Sequence, residues 1–171
     1  VEASAAEAET AAAEHKDLAL TELARQEQEI AAAAAAEQAR QAERRKKLEY
    51  EAKEAAEKAR KLDTELRRTR LSADTVYRDI VVLEDRIASL HQAAEQEEDP
   101  LRKQHLRNEA TRWQLERNRA VATHREMERR LVALSAEFMA VQQKQQHIHA
   151  EFQREAGVAR SMQDALGRIR S

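Results

Sequence analysis

Apolar residues recur at alternating steps of four and three along much of the chain. From Leu48 the steps reach Ala94 without a skipped position, and only Thr69 in this series is polar. A mean spacing of 3.5 residues is the period of a left-handed coiled coil. The pattern therefore predicts a long helix with a narrow apolar seam. The seam positions are Leu48, Ala52, Ala55, Ala59, Leu62, Leu66, Thr69, Ala73, Val76, Ile80, Leu83, Ile87, Leu90 and Ala94.

A second series of the same spacing follows Pro100, the only proline of the chain, and is out of phase with the first. Asp99 can cap the N–H groups of a new helix, and proline is tolerated in a first helical turn. We therefore predict a helical hairpin with Asp99 and Pro100 at its tip. The second series is Leu106, Ala110, Trp113, Arg117, Ala120, His124, Met127, Leu131, Leu134, Phe138, Val141, Gln145, Ile148, Phe152, Glu155, Ala159, Met162, Leu166 and Ile169.

Folding the chain back at the tip pairs seam positions whose residue numbers add to 200. Leu62 then faces Phe138, and Arg45 meets Glu155. Sums of 193 and 207 also align the two series, because they differ from 200 by one heptad. In a parallel homodimer each charged seam residue would face its own copy, and a buried unpaired charge is costly. The predicted fold is an all-α antiparallel coiled-coil hairpin, and an extended, kinked, rod-like coiled coil is the alternative.

This fold divides the chain into three parts. Residues 1–30 form an acidic, Ala/Glu-rich overhang, helical or partly disordered, residues 31–97 the first arm, and residues 98–171 the second arm. The overhang is either a solvated helix or a segment that packs against another chain. The side chains available for such packing are Leu18, Leu20, Leu23 and Ile30. The start at valine and the missing helix stop signal at the other end indicate a fragment of a longer protein.

Composition supports long helices over a compact globule. Charged residues make up 36% of the 171 residues and aromatic residues only 3%, with two glycines and no cysteine. Such a chain is typical of coiled coils and cannot fill a thick core. Lysine and arginine (30) nearly balance aspartate and glutamate (32), so no whole-chain field favours nucleic acid. Without cysteine, a signal peptide or a membrane-spanning apolar run, we expect an intracellular, cytoplasmic or cytoskeletal protein.

No catalytic motif is present, and we expect neither an enzyme nor a cofactor. The strongest metal candidate is the stretch HIHAE, in which His147 and Glu151 share a helix face. Two ligands do not make a tetrahedral site, so we expect no metal. The basic stretches at 43–47 and 66–70 are interleaved with acids at helical spacing. That pattern indicates a solvated, ion-paired face in preference to a surface for acidic partners.

Several seam positions are polar, and such residues often fix the register of a coiled coil. We assign this role to Arg45, Arg117, His124, Gln145 and Glu155. His124 is also open to a second interpretation, a pH-sensitive layer, because the charge of histidine changes near neutral pH.

Six apolar residues fall outside the seam but near one level of the hairpin, where residue 79 pairs with residue 121. A two-helix hairpin leaves most of them exposed, and clustered exposed apolar side chains usually mark a contact surface. We predict that they form a patch for partner docking; scattered surface hydrophobes are the alternative. The docking patch consists of Leu71, Tyr77, Val81, Val82, Leu115 and Val121.

The sequence predicts a non-enzymatic structural or scaffold segment that mediates protein–protein assembly. Its composition resembles that of long Ala/Glu/Arg/Gln-rich coiled coils in ciliary, centrosomal and motor-associated proteins, which implies a cytoskeletal or microtubule-associated setting. The expected partners are other coiled-coil or helical proteins, or a second copy, rather than small molecules, nucleic acid or membranes. Two alternatives remain: a mechanical stalk of a motor or rotary assembly, contacting its partner at residues 97–103, and a membrane-surface remodelling hairpin.

Overall fold

The computed structural model describes residues 2–170, and side chains for residues 4–168. Helix α1 spans Glu2–Gln96 and helix α2 spans Pro100–Arg170. Only Glu97, Glu98 and Asp99 lie between the helices, and no strand occurs within residues 2–170. Because side chains of α1 and α2 contact one another, the all-α hairpin is confirmed and the extended rod is wrong.

The length of both helices follows from their composition. Helix α1 contains no proline and no glycine, and Ala, Glu, Arg, Lys, Gln and Leu have the highest helix propensities. Helix α2 has its single proline at the first position and its two glycines in the last quarter. No described residue has a positive φ. Nothing in either sequence therefore interrupts the hydrogen-bond ladder between the ends.

The tip is capped as the sequence predicts. The main-chain carbonyl of Asp99 accepts a hydrogen bond from the N–H of Lys103 at 2.9 Å, which closes the first turn of α2. The Asp99 carboxylate accepts a longer one, 3.4 Å, from the N–H of Leu101. Pro100 occupies the first helical position, where the missing N–H costs nothing. Asp99 and Pro100 therefore start α2 at the end of a three-residue connection.

The chain divides into two compact units, one formed by Val1–Tyr50 with Ala150–Ser171 and the other by Glu51–His149. In the second unit every predicted seam position is buried or half-buried. Its buried side chains are all apolar: Ala55, Leu62, Leu66, Ala73, Ile80, Ile87 and Ala94 of α1, and Ala110, Leu134, Val141 and Ile148 of α2. The seam between the two helices is therefore the only core of this unit within the described residues.

Contacts within the second unit fix the register of the two helices. The Arg117–Glu84 ion pair and the Tyr77–His124 ring contact join residues whose numbers add to 201. Arg86 lies over the ring of Trp113, and those numbers add to 199. The predicted sum of 200 is thus confirmed, and the alignments at 193 and 207 are wrong.

The other unit has a thinner seam. Gln41 donates a hydrogen bond to the sulfur of Met162 at 3.2 Å, and Arg44 pairs with Glu155 at 3.6 Å. Its seam positions over residues 34–48 and 152–166 are half-buried, apart from Gln38 and Arg45, which are exposed. Alanine and polar side chains are frequent here, and they cover less apolar area than leucine or isoleucine.

One prediction at the outer end of the hairpin needs correction. The register predicts that Arg45 meets Glu155, but the Arg45 side chain is exposed and pairs with Glu49 at 3.6 Å on its own helix. The neighbouring Arg44 makes the ion pair with Glu155 instead. A long arginine side chain carries its charge out of an apolar seam towards water, which explains the exchange. Ala31 is exposed, and the side chain of its predicted partner Ile169 lies outside the described residues.

The overhang is helical from Glu2 onward, as the start of α1. Its side chains from Ser4 to Ile30 are all exposed, including Leu18, Leu20, Leu23 and Ile30. No side chain of α2 covers this part of α1 within the described residues.

Candidate functional site

The predicted docking patch lies outside the seam, and five of its six residues are exposed. Leu71, Tyr77, Val82 and Leu115 are each more than half exposed, and Val81 is 40% exposed. Val121 is half-buried. The patch therefore offers apolar surface to a partner, although its members do not share a single face.

Heptad positions show which members lie together. With the seam residues at a and d, Tyr77 and Val121 both occupy e, and in an antiparallel pair the e positions of the two helices lie on the same side. Val81 follows Tyr77 by one turn and lies on that side as well. At the observed register Val121 is level with residue 79, between the other two. Tyr77, Val81 and Val121 thus form one surface, which we call the central cluster.

The other three members point elsewhere. Leu71 and Leu115 occupy f positions, on the outer faces of α1 and α2, and Val82 occupies a c position on the opposite side of α1. Leu71 is level with Arg129, and Leu115 lies 14 residues earlier on α2, about 21 Å away at helical rise. The structure therefore brings together three of the six predicted residues and separates the rest.

Charged side chains of both signs surround the central cluster. Arg70 occupies the e position one heptad before Tyr77, and Arg125 follows Val121 by one turn. Neither makes an ion pair within residues 4–168, and neither does Asp74, which lies on the same side. On the side of the hairpin that carries the cluster, the arginines at 67, 70 and 125 are matched by the acids at 74, 84 and 128, so the surroundings are close to neutral.

Arg117 and His124 have polar partners at the edges of the seam. Arg117 donates two hydrogen bonds to Glu84 Oε1, from Nε at 3.1 Å and from Nη2 at 2.9 Å. His124 Nδ1 lies 3.5 Å from Glu128 Oε1, and its ring lies 5.9 Å from that of Tyr77. Gln145 and Glu155 are half-buried. The register-setting role of these residues stays a prediction, as does a pH-sensitive layer at His124.

Two features in the half of the hairpin towards the tip were not predicted from the sequence. The guanidinium of Arg86 lies 4.1 Å from the centre of the Trp113 ring, which is a cation–π contact. The register alone could have found it, because Arg86 flanks the seam opposite Trp113. Leu101 is 82% exposed beside the charged connection, the most exposed large apolar side chain among residues 4–168. Its position after Pro100 carried no heptad signal.

The described part of the chain has neither a cluster of metal ligands nor a membrane-spanning helix. No group of three or more His, Asp or Glu side chains there is placed to hold a metal ion. In the HIHAE stretch, Glu151 pairs with Arg154 at 3.0 Å. Neither α1 nor α2, as far as the described residues show, has a window apolar enough to cross a membrane.

Comparison with known proteins adds no relative. No protein family, no curated protein and no solved structure matches the chain. Any function must therefore be argued from the surfaces of the hairpin.

Proposed function

We propose that this chain is a non-enzymatic coiled-coil segment that mediates protein–protein assembly by binding a helical partner. The observation that carries the proposal is the central cluster, in which Tyr77 and Val81 stay exposed on a fold whose other apolar side chains mostly pack in the seam. A third helix laid along this side would cover the cluster and form a helix-in-groove contact.

The setting that we propose is cytoskeletal, in a ciliary, centrosomal or other microtubule-associated complex inside the cell. Long Ala/Glu/Arg/Gln-rich coiled coils are the scaffold material of such complexes, and this chain has that composition. The thin, alanine-rich seam supports the binding of a further helix, because added helices would increase the buried apolar area.

Binding after a single charge substitution tests the proposal. Tagged wild-type chain and Val81→Asp are used to capture partners from cells of the source organism, followed by mass spectrometry. A charge buried against an apolar partner is strongly unfavourable, so Val81→Asp should lose the captured helical proteins. Val158→Asp is the matched control, since Val158 is 43% exposed against 40% for Val81. Equal recovery from all three chains would refute the proposal, provided that circular dichroism shows equal helix content.

A mechanical stalk is the second candidate, and the exposed Leu101 favours it. This leucine lies at the tip, between Pro100 and Arg102 and close to the acids of the connection. Because its side chain is exposed, it could enter a pocket of a partner. In that case Leu101→Asp should abolish capture while Val81→Asp leaves it intact. The reverse result would support the central cluster.

A further inference from the structure

We draw no further inference here: the strongest candidate, the apolar surface patch that Tyr77, Val81 and Val121 form on one side of the hairpin, carries none, because the charges around it nearly balance and nothing within the described residues shows what covers it.

Discussion

At the scale of single residues, the seam depends on a few large side chains set among alanines. Leu62 and Ile87 are buried, while Ala55 and Ala73 fill their positions with one methyl group each. A large side chain opposite a small one lets two helices approach closely without a void. Each large seam residue therefore contributes a sizeable share of the buried apolar surface.

Leu62→Ala should lower the free energy of unfolding by about 2–4 kcal/mol, because it removes buried methyl groups and leaves a cavity. Leu71→Ala is the matched control: Leu71 is 69% exposed on the same helix, and a surface change of this kind should stay within about 0.5 kcal/mol. Urea titration followed by circular dichroism measures both. Equal effects of the two substitutions would contradict the assignment of Leu62 to the seam.

The tip offers a second test at this scale. Asp99→Ala removes the cap of α2 and should cost about 1 kcal/mol, the usual value for an N-cap residue. The substitution also removes the 3.7 Å contact to Arg102, but an exposed ion pair adds little. Glu98→Ala, in the same connection, should be close to neutral. Thermal unfolding gives the comparison, and a neutral Asp99→Ala would show that the cap does not stabilise α2.

At the scale of the two helices, the heptads made most of the fold predictable. Every seam position from Leu48 to Ala94 is buried or half-buried, because a spacing of 3.5 residues leaves only one face for contact. The register was one of three that the heptads allowed, and contacts in the structure, such as the Arg117–Glu84 ion pair and Arg86 over Trp113, identify it. The pattern cannot predict the direction taken by a flexible side chain, so it pairs Arg45 with Glu155, whereas Arg44 makes that contact.

The candidate site was less predictable than the fold. Sequence position identified the exposed apolar residues but not their faces, since Leu71 and Val82 are near Tyr77 in sequence and lie on other sides of α1. Val121 was grouped with exposed residues, yet its e position places it against the flank of the seam, where it is half-buried. Leu101 belongs to no heptad, so only the structure shows its exposure.

The register-setting role of the polar seam residues leads to a prediction for the pair of helices. Cysteines at Ala73 and Met127, whose numbers add to 200, should react with a short bifunctional thiol reagent. Cysteines at Ala73 and Ala120, which test the alignment at 193, should not, because residue 120 is about 10 Å along the helix from residue 127. The chain has no native cysteine to interfere.

Replacing Arg117, His124 and Gln145 together by leucine removes the polar positions from this part of the seam. If they set the register, the Ala73–Ala120 cysteine pair should become reactive in that background, because apolar seams tolerate slippage. Exclusive reaction of the Ala73–Met127 pair in the leucine variant would contradict the role. Peptide mapping of the crosslinked chain distinguishes the two outcomes.

At the scale of the whole molecule, a hairpin stabilised by one seam has little core for its length. The buried side chains are all apolar and belong to residues 51–149, and the unit that contains the overhang has none within its described residues. Small buried area gives marginal stability, and binding to a partner adds stability in proportion to affinity and concentration. Binding of a helical partner at the central cluster is consistent with that requirement.

The distance between Ala36 and Asp164 tests the hairpin most directly. Both residues are exposed, so cysteines introduced there can be labelled with a donor and an acceptor for energy transfer. The hairpin predicts a separation of roughly 20–30 Å, about two helix diameters, that persists when labelled chain is diluted with unlabelled chain. A separation near the length of one continuous helix, about 190 Å, would contradict the hairpin. A short distance that disappears on dilution would contradict it too, because the helices would then pair between two chains.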